Sequence, residues 1–342
     1  MSQTVDPPLP WQAELWQRVQ ARRRIDQLPH ALLLCGVAGL GKLRFTNALA
    51  HSLVCAQPDA QGIACGTCAP CRLFLAGSHP DISRVSPEEE GKSISIEQIR
   101  ALREFNALSS YGGGHKIVLI EPAERMTTAA ANALLKTLEE PSGKTLMMLV
   151  TTRPSSLPAT VRSRCQRLDF AVPPRAAGAA WLQQHLEACT VQDAATLLAL
   201  AQGAPLRALQ LQQDGALEQR AKLLADLRDI ALGKSDPVAV AERWHKAGMK
   251  QAWLWISSCV NDMLRLKFDA APSLLNNVDA APLLDELARK VDVQALFRWS
   301  DRVKQAQQEA DVPLNQQMVL EDVLIAWERQ FVTVRESSRS TP

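Results

Sequence analysis

Eight cysteines occur in the 342 residues, and four of them crowd together as Cys55-x9-Cys65-x2-Cys68-x2-Cys71. Two C-x-x-C steps sharing Cys68 suit a tetrahedral set of four thiolates, the donor set preferred by structural zinc. Four thiolates leave no coordination position for water, so such an ion holds the chain in shape and performs no hydrolysis. The competing reading is four free or redox-active thiols. A second cluster, Gly36-Val37-Ala38-Gly39-Leu40-Gly41-Lys42, has the form G-x-x-x-x-G-K. In that form Gly36, Gly39 and Gly41 expose backbone N–H groups to phosphate oxygens, and Lys42 reaches the β and γ oxygens of a nucleotide. Leu43 follows at the place where magnesium-dependent hydrolysis uses a Ser or Thr hydroxyl on the metal. The pattern therefore predicts at most ATP or ADP binding without turnover.

A third candidate is the turn Glu121-Pro122-Ala123-Glu124, which closes an apolar run. Glu121 stands where a hydrolysing enzyme keeps its metal-binding acid, and Pro122 stands where many keep the base. Proline has no acid–base group. Glu124 lies three residues beyond Glu121 and is expected to aim elsewhere. A core strand with an exposed acidic turn explains the segment equally well.

These groups need elements to position them. Ala31–Cys35, Asp81–Val85, Lys116–Ile120 and Thr145–Val150 are short apolar runs that read as buried parallel strands. Helical spacing predicts helices over Trp11–Gln27, Lys42–Cys55, Ile96–Ala107 and Thr128–Glu140, the first with an Arg22-Arg23-Arg24 run. Strands alternating with helices imply a parallel α/β sheet. After Val172-Pro173-Pro174 the pattern turns all-helical, broken at Gly203-Ala204-Pro205 and Gly233–Pro237. A longer connection is expected over Asp269–Pro282, and a final helix from Pro313-Leu314-Asn315 to about Gln330, with Asn315 as its N-cap. Cys35, Cys189 and Cys259 lie in apolar surroundings and read as core fillers.

Composition narrows the function. There are 38 basic and 36 acidic residues, a net charge of +2, which excludes a histone-like basic coat and confines any nucleic-acid contact to local patches. Hydrophobic residues make up 46% and aromatics only 5%, which favours packed helices over a β-sandwich. No apolar run is long enough to span a bilayer, and the first residues lack a basic and an apolar signal region. A cytoplasmic chain with reduced cysteines is expected.

The phosphate loop, the cysteine module after its helix, and the stretch Ala129–Pro141 (AAANALLKTLEEP) resemble the clamp-loader AAA+ family. So does Leu157–Cys165, which contains Ser163-Arg164-Cys165. The resemblance is close over residues 9–210 and loose beyond. It implies a RecA-like AAA+ P-loop domain with a zinc module over 1–172, a small helical lid over 173–213 and a helical collar over 214–334, with a disordered tail over 335–342. It implies partners resembling the tau/gamma and delta subunits, and a sliding clamp and primer-template DNA met within that assembly. Arg164 would be an arginine finger in trans, Thr151-Thr152 the sensor-1 position, Arg207 a possible sensor 2, and Cys165 a buried residue fixing its turn. Degraded nucleotide motifs beside an intact Ser-Arg-Cys suggest a member without ATPase of its own, inside a DNA-directed DNA polymerase holoenzyme. Two other readings are an active ATPase resembling tau/gamma and a zinc-dependent nucleic-acid binder. Arg100, Arg103 and Lys136 suit phosphate contacts or a solvated face. The apolar stripe Val319–Trp327, with Trp253 and Trp255, suits either a subunit interface or an intramolecular core.

Overall fold

The computed structural model describes residues 6–89, 91–111, 114–141, 143–187, 189–247, 252–271, 274–309 and 315–339. The chain divides into two compact units, Met1–Pro173 and Pro174–Pro342.

The first unit runs α1 (Ala13–Arg24), β1 (Ala31–Cys35), α2 (Lys42–Val54), α3 (Ala69–Leu75), β2 (Ile82–Val85), α4 (Ile96–Ala107) and β3 (Lys116–Ile120). It continues with α5 (Thr128–Glu139), β4 (Thr145–Thr151), α6 (Ala159–Arg162) and β5 (Gln166–Asp169). The five strands form one sheet in the order β2-β3-β4-β1-β5, with every pair parallel. All residues of β1, β3 and β4 are buried, because helices cover both faces of a parallel sheet. That is why Leu-Leu-Leu, Ile-Val-Leu-Ile and Leu-Met-Met-Leu-Val appear as unbroken apolar runs. The core on one face joins Leu33, Val118, Ile120, Met147 and Leu149 to Ile99 and Leu102 of α4 and Leu134 and Leu138 of α5. Ser95 caps α4 by accepting from Gln98 N at 3.3 Å, and Thr127 caps α5 by accepting from Ala130 N at 3.1 Å.

Two elements differ from the sequence reading. β5 pairs with β1 in the register Leu32↔Gln166 to Cys35↔Asp169, although Gln-Arg-Leu-Asp shows no apolar run. It is an edge strand whose residues are exposed in alternation, so its signal is too polar to stand out. The cysteine-bearing segment contains the short helix α3, for which the sequence reading places no element.

The second unit is helical among the described residues: α7 (Arg175–His185), α8 (Val191–Leu200), α9 (Pro205–Gln213), α10 (Ala216–Ala231), α11 (Pro237–Lys246), α12 (Ala252–Lys267), α13 (Ala281–Lys290), α14 (Val293–Glu309) and α15 (Gln316–Arg339). Pro205 and Pro237 open α9 and α11 at the expected breakers. Asn315 Oδ1 accepts from Gln317 N at 3.2 Å and caps α15, whereas Pro313 and Leu314 lie outside the described residues. α15 runs to Arg339, past the Gln330 end that the spacing predicts. The Asp269–Pro282 connection is tied down by buried charge. Fully buried Asp262 accepts from Asn276 N at 2.8 Å and Asn277 N at 2.6 Å, and Arg220 grips Asp279 with two nitrogens at 2.7 and 3.0 Å. Arg265 Nη1 lies 3.1 Å from Asp262 Oδ1, so each buried charge has an ionic partner.

The Trp-rich stripes resolve as intramolecular core. Trp327 stacks on Trp299 with ring centroids 4.3 Å apart and meets Phe331 edge-on at 4.6 Å, while its Nε1 donates to Leu227 O at 2.9 Å. Val323, Leu324, Trp253 and Trp255 are buried as well.

Candidate functional site

The parallel sheet brings the carboxyl ends of β1, β3 and β4 side by side, and the loops leaving them form the site. Cys35, the last residue of β1, pairs with Thr151 on one side and Asp169 on the other. The loop after β1 must therefore leave through a narrow gap. At Gly36 an added Cβ would lie 2.9 Å from Phe170 O and 3.0 Å from Phe170 Cβ, so only glycine passes there. Gly39 and Gly41 have φ of +83° and +82°, and Gly41 turns directly into α2.

Lys42, only 6% exposed, folds back over this loop. Its Nζ donates to Gly36 O at 2.7 Å and to Val37 O at 2.9 Å. Burial lowers its affinity for the proton, while the nearby Glu121 and Glu124 carboxylates act the other way. The N-terminal turn holds the loop from outside: Gln12 Nε2 donates to Leu40 O at 2.9 Å and Gly41 O at 3.0 Å, and Trp11 Nε1 donates to Leu40 O at 3.1 Å. Neither residue stood out in the sequence, because a lone Trp-Gln before a helix carries no motif. Leu43 is 40% exposed. The next hydroxyl along α2, Thr46, donates to Lys42 O at 2.7 Å and so is committed to its own helix.

Glu121 follows β3, and burial raises its carboxyl above the ordinary range against the pull of Lys42. Glu124 is drawn into the same group. Its Oε1 accepts from Thr152 N at 3.0 Å and from Thr152 Oγ1 at 2.5 Å. Burial opposes its charge, yet these hydrogen bonds leave the carboxyl below the usual range. Glu124 thus aims at the residue after β4, a contact between segments distant in sequence. Thr151, buried, accepts from Arg153 N at 3.1 Å.

Arg164 lies just beyond α6. Its Nη1 donates to Thr160 O at 2.9 Å, and its Nη2 sits 2.6 Å from Glu139 Oε1 at the end of α5. Ser163 Oγ donates to Thr160 O at 3.2 Å, and Cys165 packs against the sheet core, where burial pushes its thiol up to about 12. Within the first unit, the glycines, Lys42, Glu121, Glu124 and Thr152 converge, whereas Arg164 is engaged with α5. Arg207 lies in the first turn of α9 in the second unit. Arg103 Nη2 donates to Ala133 O at 3.3 Å, tying α4 to α5, and Arg100 and Lys136 are exposed.

The four cysteines meet as their spacing implies. The Sγ atoms of Cys55, Cys65, Cys68 and Cys71 lie within 4.8 Å of one another, with Cys55 to Cys65 at 3.6 Å and Cys65 to Cys71 at 3.9 Å. A tetrahedron with metal–sulfur bonds of about 2.3 Å has sulfur–sulfur edges of about 3.8 Å, whereas a disulfide needs about 2.05 Å. The set thus fits a metal ion and contains no bonded pair. Backbone donors at Thr67 and Cys68 bring the Cys65 thiol down to about 6, and burial raises Cys55 and Cys71. The arginine run of α1 anchors this module. Arg23 Nη2 donates to Ser52 O at 2.8 Å and Arg24 Nη2 to Ala60 O at 2.5 Å, while Trp16 Nε1 donates to Gln61 O at 2.9 Å.

Residues 11–174 match the protein family described as "DNA polymerase III, delta subunit", and residues 214–329 match "DNA polymerase III, delta subunit, C terminal". The chain is 35% identical over 320 residues to DNA polymerase III subunit delta′ of Pseudomonas aeruginosa, spanning 93% of this chain and 96% of that one. It is 34% identical over 330 residues to the delta′ subunit of Yersinia pestis, spanning 95% and 96%. The delta′ subunit of Escherichia coli is 32% identical over 321 residues, spanning 92% and 94%.

Proposed function

Because this chain belongs to the DNA polymerase III delta-prime family, we propose that it is a non-hydrolysing clamp-loader subunit that lends Arg164 to a neighbour's ATP. The observation that carries the reading is a contrast within one unit. The phosphate loop keeps its fold but has Leu43 and Pro122 where hydrolysis needs a hydroxyl and a base, while Arg164 stays partly exposed. Phosphoryl transfer depends on positioning and charge stabilisation, so an arginine from one subunit can act on a nucleotide held by another. The lost chemistry then belongs to the neighbour.

In this reading the partners resemble the tau/gamma and delta subunits, and the assembly places a sliding clamp on primer-template DNA. Residues 173–213 act as the lid and 214–334 as the collar. The four cysteines hold a structural zinc that fixes the segment between α2 and α3, and Arg207 is retained from a sensor-2 role. ATP or ADP meets a loop whose lysine is already bonded to its own carbonyls. No helix among the described residues is long and apolar enough to cross a membrane, and we assign the chain to the cytoplasm.

The test is ATP turnover by the reconstituted complex with wild-type chain or Arg164→Ala, beside the isolated chain. The expected result is no turnover by the chain alone and a clear fall in complex activity for Arg164→Ala. Magnesium-dependent turnover by the isolated chain, or full activity with Arg164→Ala, would overturn it.

A further inference from the structure

Arg164 is not idle in this chain. Both terminal nitrogens of its guanidinium are engaged, Nη1 with Thr160 O at 2.9 Å and Nη2 with Glu139 Oε1 at 2.6 Å. Glu139 is the last residue of α5, where the unpaired carbonyls of a helix end carry partial negative charge. A carboxylate at that end is disfavoured by its own helix and gains from a cation beside it. The Glu139 carboxylate at the end of α5 and the Thr160 carbonyl of α6 therefore form one anionic seat. The seat is open to solvent, since the two side chains are 36% and 49% exposed. A triphosphate carries more charge than one carboxylate and offers the guanidinium a bidentate grip, so it can win the arginine in direct competition.

We propose that Glu139 is a positioning residue that holds the Arg164 guanidinium against the end of α5 and yields it to the γ-phosphate of a neighbouring subunit's nucleotide. This rests on the reading of Arg164 as a finger acting in trans. The seat keeps the finger ordered between turnovers and sets how much nucleotide is needed to draw it out. It also places the finger under the control of α5, because a shift at the end of that helix carries Glu139 with it. Exposed ion pairs are weak, so the effect on nucleotide demand is about two- to five-fold.

The experiment is an ATP titration of turnover by the reconstituted complex containing wild-type chain, Glu139→Gln, Arg164→Ala or the double variant. Glu139→Ala serves as a second single variant, and circular dichroism confirms that each folds. Expected is a two- to five-fold fall in the ATP concentration giving half-maximal turnover for Glu139→Gln, with the maximal rate unchanged, because saturating ATP has already displaced the carboxylate. In the Arg164→Ala background the same substitution changes nothing. An unchanged or increased half-maximal concentration, or an equal gain in the Arg164→Ala background, overturns the seat while leaving the finger standing. Full activity with Arg164→Ala removes the finger and the seat together.

Discussion

Replacing Trp327 by alanine removes the centre of an aromatic cluster that the second unit is built around. The ring is buried, stacks on Trp299 at 4.3 Å, meets Phe331 at 4.6 Å, and donates from Nε1 to Leu227 O at 2.9 Å. Truncating a buried Trp to Ala costs about 3–5 kcal/mol from lost transfer energy and the cavity left behind. Two aromatic contacts, each adding about 0.5–1.5 kcal/mol beyond burial, place this site toward the upper end. A domain of this size loses roughly 2–4 °C of Tm per kcal/mol, so the helical unit should melt about 6–20 °C lower. Trp327→Phe keeps most of the ring area but loses the indole hydrogen bond, with an expected cost of about 0.5–1.5 kcal/mol for that bond. The assay is differential scanning calorimetry of the full chain, wild type beside each variant. A Tm change for Trp327→Ala below about 2 °C, accompanied by loss of co-assembly with other subunits, would refute the reasoning. The stripe would then be covered by a neighbour and not by its own unit.

Metal analysis of the purified chain should find about one zinc, as a closed four-thiolate site implies. Cys71→Ser should lose the metal and expose the segment between α2 and α3 to thiol alkylation and proteolysis; an alkylation-resistant, metal-free wild type speaks against the site. Stability should also fall on acidification. His51, His79 and His115 are all held below their ordinary 6.5, in each case chiefly by burial, so folding favours the neutral ring. Their contribution is complete above 6.5 and is lost as pH falls through the lower folded values. Thermal melts from pH 7.5 to 5 should therefore show a declining Tm, with a shallower slope for His51→Asn. An identical slope in that variant would remove His51 from the account.

Much of the site was legible because its signals are local. The glycines and Lys42 between β1 and α2, Leu43 after them, and the Cys55 to Cys71 spacing sit within short stretches whose backbone geometry is dictated by the residues themselves. The contacts that complete the site were not legible. Gln12 and Trp11 on the loop carbonyls, Glu124 on Thr152, and Glu139 on Arg164 join segments 25 to 29 positions apart. Nothing in either partner's neighbourhood announces the other. β5 belongs with them, since Gln166–Asp169 is a strand only because β1 offers it an open edge.

By itself, the amino-acid order determined four of the five described strands, the change to helical structure after Pro173, and the glycine-rich turn into α2 with Leu43 and Pro122 beside it. Strand burial, turn geometry and the absence of a hydroxyl or a base are properties of a few adjacent residues, so the order suffices. Tertiary structure alone decided where the apolar stripes go and what the charged side chains hold. Trp327 turned inward onto Trp299, and the arginine run of α1 braced the cysteine module. An apolar face or a cation carries no address, and only the folded chain determines which partner lies within reach.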